Sequence, residues 1–82
     1  MVKRDGAETR RQRIAQIARM VQAALHASEN GEISLSKFVA GVMYQTGLTK
    51  EKVREYMEIP MTMGQFELDD VNDIIRSPQT SV

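Results

Sequence analysis

The chain has no cysteine and no tryptophan, and its 82 residues hold a single histidine and two prolines. Each shortage closes a class of function. Without cysteine there is no disulfide framework, no thiolate metal site and no thiol nucleophile. His26 has no second histidine to join it in a metal site. It falls at the end of an apolar-periodic stretch, where a helix dipole ordinarily favours a cation. Asp69, Asp70 and Asp73 lack the alternating spacing and closing glutamate of a calcium loop, and no glycine-rich phosphate loop occurs. No apolar run approaches the roughly 20 residues that cross a bilayer. The Met1–Asp5 start has no apolar stretch behind it, so no secretory signal is read and the cytoplasm is the expected location. Neither an enzyme nor a cofactor or metal site is expected.

What is present is the composition of one small folded domain, 41% apolar and 27% charged. A chain of this length buries only about 60–65% of its unfolded surface, enough for a single core. The net charge of zero conceals an uneven distribution. Residues 1–28 carry six basic against two acidic groups, for +4. Residues 29–58 carry four against five, for −1, and residues 59–82 one against four, for −3. A basic end that can meet phosphate is one reading, and a solvated helix face is the other.

Three helical patterns follow in order. From about Glu8 to Ser28, Ile14, Ile17, Val21, Ala24 and Leu25 recur at helical spacing, and Asn30-Gly31 stops the run. Glu32-Ile33 suits a very short strand. Ser34 or Ser36 then caps a second helix, whose stripe is Leu35, Phe38, Val39, Val42 and Met43. Gly47 turns the chain, and Thr49 caps a third helix running toward Ile59, with Val53, Tyr56 and Met57 inward. Pro60 is expected to end or kink it. Gln65 to Leu68 alternates as a strand does. The segment after Asp69-Asp70 reads either as a short helix or as a turn and a returning strand over Asp73–Arg76, with the strand preferred. Residues 1–7 read as a flexible basic arm, 8–76 as the domain with its long first helix, and 77–82 as a disordered tail. Tyr44, Tyr56 and the methionines around Pro60 (Met57, Met61, Met63) are expected to fill the core.

Leu48-Thr49-Lys50-Glu51-Lys52-Val53-Arg54-Glu55-Tyr56, followed by Gly64-Gln65-Phe66, resembles the winged helix-turn-helix family of DNA-binding regulators, particularly small archaeal and bacterial ones. The resemblance covers residues 32–76. It implies a mainly α fold with a small β-sheet: three helices and a short wing of two or three strands. It further implies that Thr49 opens the recognition helix, Val53 packs on the helix before, Gly64 turns the chain, and Phe66 enters the core. The chain departs from the family at Pro60, where a leucine is usual. It departs again at the wing tip, where Asp69, Asp70 and Asp73 replace glycine and basic residues.

With 100° per residue, Glu51, Glu55 and Glu58 form the centre of the third helix's solvent stripe, flanked by Lys50 and Arg54 on one side and Lys52 on the other. Arg54 is placed to pair with Glu51 or Glu58. If this helix enters a major groove, Thr49, Lys50, Lys52 and Arg54 are the candidate contacts. Arg10, Arg11 and Arg13 are the candidates for backbone phosphates. The first helix spans about 30 Å at 1.5 Å per residue, more than the domain behind it can cover. A homodimer through Ile14, Ile17, Met20 and Val21 is therefore expected. The functional expectation is a double-stranded-DNA-binding transcriptional regulator. The alternative is a winged-helix module that binds protein without touching DNA.

Overall fold

A computed structural model of the chain describes residues 6–78. The order is α1 (Gly6–Ala27), β1 (Glu32–Ser34), α2 (Leu35–Thr46), α3 (Lys50–Thr62), β2 (Glu67–Asp69) and β3 (Ile74–Arg76). The strands form one antiparallel sheet in the order β1-β3-β2. This is the mainly α layout with a small sheet that the sequence pattern implies, in a winged-helix-like arrangement. The segment after Asp69-Asp70 is a turn and a strand. No described helix is long and apolar enough to cross a membrane.

Element boundaries move by a few residues. α1 begins at Gly6, so the end of the expected N-terminal arm is helical; residues 1–5 of that arm and 79–82 of the expected tail lie outside the described residues. α3 does not stop at Pro60 but continues to Thr62. Only two helical residues follow the proline, and the final turn is re-closed by Met63 N–H to the Ile59 carbonyl at 3.0 Å and Gln65 N–H to the Pro60 carbonyl at 3.0 Å. The Pro60 ring is fully buried and adds apolar surface to the interior.

One core joins all the layers. Ile17, Val21 and Leu25 enter it from α1, Leu35, Val39 and Val42 from α2, and Val53 and Met57 from α3. Phe66 and Ile75 close it from the sheet side. Burial of a side chain of this size contributes about 1.5–3 kcal/mol, so these ten positions carry the fold. Two expectations are corrected by the packing. Ile17 and Val21 are fully buried in the chain's own core, so they have no surface to offer a second copy. Tyr44 is 92% exposed, standing on the outer face of α2. Of the methionines, Met57 is buried and Met61 packs at the core's edge, whereas Met63 is exposed.

Asp73 ties the wing to the start of α2. Asp73 sits in the left-handed region at φ 58°, which a short polar side chain tolerates better than most. Its carbonyl accepts the Leu35 N–H at 3.0 Å, and its carboxylate accepts the Ser36 N–H at 3.0 Å. The same carboxylate takes the hydroxyls of Ser36 at 2.8 Å and Ser34 at 3.1 Å. Ser34 is the N-cap and accepts the Lys37 N–H at 3.3 Å. The first three N–H groups of α2, which a helix leaves unpaired, are thereby satisfied by Ser34 and Asp73 together.

The Ser36 hydroxyl, seconded by that of Ser34, holds the Asp73 carboxyl below its ordinary value. Stability from such a group is complete above the ordinary carboxyl range and is lost as pH falls through the lowered value. Asp73→Asn is therefore expected to lower the melting temperature at neutral pH and to flatten the acid limb of the stability curve below about pH 4, read by thermal melts across pH. Phe66→Ala should cost about 3–5 kcal/mol in urea unfolding. The control Val71→Ala, at a position 93% exposed on the hairpin tip, should stay within about 0.5 kcal/mol.

Candidate nucleic-acid interface

The turn before α3 is closed by short-range bonds. Gly47 takes φ 77°, and its N–H returns to the Met43 carbonyl at 2.8 Å, the left-handed cap that glycine reaches without a Cβ penalty. The Thr46 hydroxyl donates to the Val42 carbonyl at 2.7 Å and accepts the Leu48 N–H at 3.2 Å. Thr49 then caps α3, its hydroxyl oxygen accepting the Lys52 N–H at 3.2 Å. Val53 and Met57 anchor the helix from below, and Tyr56 packs beside them. The residues that the resemblance implies for the fold, Thr49, Val53, Gly64 and Phe66, stand in those roles: cap, buried contact, left-handed turn and core residue.

The candidate contact residues divide between two flanks of α3. On the α1 side, Arg10 reaches across from the start of α1 to Glu55 at 3.1 Å, and Lys52 meets the same carboxylate at 3.4 Å. The Lys52 ammonium lies 5.7 Å from the centre of the Tyr56 ring, close enough for the ring's negative face to attract it. The hydrogen bond from Arg10, then the charge of Lys52, keeps the Glu55 carboxyl below its ordinary value. Arg11 and Arg13 stand in the same turn of α1 as Arg10, with Arg13 donating to Gln16 at 3.0 Å. No carboxylate occurs in the sequence from Thr9 to Ser28, so Glu55 is the acid that this basic flank meets.

The wing side has the opposite sign. Arg54 pairs with Asp70 at 2.8 Å rather than with Glu51 or Glu58. The hairpin brings Asp70 beside the helix, and no periodicity along α3 reports that. Lys50 makes no ion pair among the described residues and lines a cleft of about 250 Å³ with Arg54, Ser36 and Asp70. Asp69 closes the hairpin turn, accepting from Asn72 N–H at 3.0 Å, Asn72 Nδ2 at 2.8 Å and Arg76 at 3.1 Å. The Asn72 side chain is the main cause of the lowered Asp69 carboxyl, with its backbone N–H next. Counting α3 and the wing together, Glu51, Glu55, Glu58, Glu67, Asp69, Asp70 and Asp73 face Lys50, Lys52, Arg54 and Arg76, a net −3.

The structure thus brings Arg10 and Lys52 together and places Lys50 and Arg54 on the far flank of the same helix. Three roles escape the sequence reading: Arg10 as a strut to α3, Asp70 as partner of Arg54, and Asp73 as cap of α2. Each spans at least 16 residues. No protein-family model, curated protein or solved structure matches the chain. The Arg54–Asp70 pair is partly exposed, so a double-mutant cycle of Arg54→Ala and Asp70→Ala, read by urea unfolding, should give a coupling of no more than about 1 kcal/mol.

Proposed function

We propose that this chain is a winged-helix protein that binds double-stranded DNA as a transcriptional regulator, offering the Thr49–Arg54 half of α3 to the major groove. One observation carries the reading: the arginine-bearing start of α1 is tied through Glu55 to the Lys52 flank of α3. Arg10 and Lys52 thereby meet on one border of a capped helix, with Arg11 and Arg13 in the same turn of α1 as Arg10. Phosphates attract such a border over distances limited by the Debye length, about 8 Å at physiological salt. The wing, with its carboxylates turned to structural tasks, is kept off the phosphates by its charge. Docking is then one-sided, with the backbone held from the α1 flank. Within α3, Lys50 and Arg54 are the side chains for base edges, and Arg54 must exchange Asp70 for a guanine to make its bidentate contact. Two such modules on paired half-sites are the assembly that this reading calls for.

A second reading, a protein-binding module, is favoured by the net acidity of the α3–wing surface and by the pairing of Arg54 and Arg76 with wing carboxylates. Binding of a labelled duplex across a salt series separates the two. The DNA reading expects log K to fall linearly with log salt. Arg10→Ala with Arg11→Ala should reduce the slope by about 2, near 0.9 per lost phosphate contact. Lys50→Ala with Arg54→Ala should weaken binding, and Asp70→Asn, which releases Arg54, should strengthen it. No binding at low salt would leave the protein-binding module as the better account.

A further inference from the structure

Between the first half of α1 and the last turns of α3 lies an open groove of about 420 Å³. Ile14, Ala15 and Ala18 form one bank, Ile59 and Met63 the other, with Pro60 between them. Ile59 is 48% exposed and Met63 69%, although both are large apolar side chains. Arg10 meets Glu55 at one end, and Gln22 Nε2 donates to the Gln65 carbonyl at 2.8 Å at the other. The two helices therefore run in the same direction, and the trough between them is about 18 Å long. Apolar surface gathered in this way on a small domain marks a contact site.

The shape of the trough selects a helix. Ile14 and Ala18 stand one turn apart on α1, as Ile59 and Met63 do at the end of α3, so both banks present ridges of i, i+4 spacing. A third helix fits its own side chains between such ridges. Ala15 and Ala18 leave room for its backbone to come close, and the unbranched side chain of Met63 adapts to what it meets. The trough is open along its length, so it suits a peptide better than a small molecule, which a pocket would enclose.

The charge on the rim says what kind of helix. Arg10 and Arg11 are the charged residues that line the groove, both near the start of α1. Arg11 makes no ion pair among the described residues, and Arg10 uses one N–H of Nη2 on Glu55. A guanidinium carries several N–H groups, so donors remain on both for a further carboxylate. The glutamates of α3 do not line the groove: Glu55 and Glu58 border a separate cleft with Met61 and Leu68. We infer that the groove receives an amphipathic helix of another protein, its apolar stripe along the trough and its carboxylates over Arg10 and Arg11. Those acids belong in the first turn of the incoming helix, where its dipole favours them. It then lies parallel to α1 and α3. A DNA backbone would bring charge to the arginines but leave Ile14, Ile59 and Met63 uncovered. Arg10 and Arg11 are also the phosphate candidates, so peptide and duplex should compete. That competition rests on the DNA-binding reading; the docking surface does not.

Fluorescence anisotropy of a labelled peptide with the full chain, without DNA and at low salt, tests the inference. The probe is end-capped Asp-Asp-Glu-Glu-Ala-Leu-Leu-Gln-Ala-Leu-Leu-Gln-Ala-Leu, about 21 Å long as a helix. Its Kd should be of the order of 10–100 µM, since ordering the peptide offsets much of the contact energy. A peptide of the same composition with its leucines scattered around the helix should bind about tenfold more weakly. Ile59→Gln and Met63→Gln, both at exposed positions, should each weaken binding about fivefold with an unchanged circular dichroism spectrum. Arg11→Glu should do the same for the acidic probe, and should not affect a probe with glutamines in place of its acids. No saturable binding of the acidic probe overturns the inference, as does equal binding of the scattered peptide. Binding untouched by Ile59→Gln and Met63→Gln overturns it too, since another face must then hold the peptide. Sedimentation of the chain alone that rises above 9.3 kDa and is reversed by Met63→Gln would assign the groove to a second copy instead. Peptide binding in a protein that binds no duplex supports the docking surface and counts against the DNA reading alone.

Discussion

The central strand is the last to arrive. β3 pairs with β1 on one side and β2 on the other, with Ile75 opposite both Ile33 and Leu68. Ile75 is fully buried beneath that crossing. Before Ile74–Arg76 is in place, β1 and β2 have no common partner and the core lacks its floor. The sheet ties residues 32–34 to residues 40 to 44 positions later, an entropic cost that the shared core repays. The Asp73 contacts to Ser34 and Ser36 lie one residue before this strand, so pairing of the strand and capping of α2 are achieved by the same few residues.

How much of this is legible in the sequence depends on the range of the interaction. Helical periodicity, the Thr49 cap and the Gly47 turn are local, and they read correctly because each is decided within a few residues; the α2 cap, open in the sequence between Ser34 and Ser36, falls to Ser34. The returning strand over Ile74–Arg76 is readable from its apolar pair next to turn-forming polar residues. Pro60 misleads because its cost is local whereas its compensation, burial of the ring near α1, is not. Ile17 and Val21 mislead about dimerisation for a related reason. An apolar stripe does not say which of its members the chain's own core will consume. The acidic hairpin is the clearest case. Asp69, Asp70 and Asp73 look like one negative cluster in the sequence, yet they close a turn, hold Arg54 and cap a helix.

Electrostatics here is organised across α3 rather than along the chain. Among the described residues, the +4 of the first 28 residues reaches the third helix through the Arg10–Glu55 contact, and the −3 of the last 24 reaches it through Arg54–Asp70. The helix therefore lies on the border between a positive and a negative half of the molecule. Zero net charge is a property of the sum and says little about what either half attracts.

Pro60 has no N–H to give, so the carbonyl one turn earlier, at Tyr56, goes without its usual helical donor. Amide exchange should accordingly be faster beyond Pro60 than in the Val53–Met57 turn, whose side chains are locked in the core. The end of α3 that carries Met63 therefore rests on the Met63 and Gln65 N–H bonds to the Ile59 and Pro60 carbonyls, while the Val53–Met57 turn and the Thr49 cap do not depend on the missing donor.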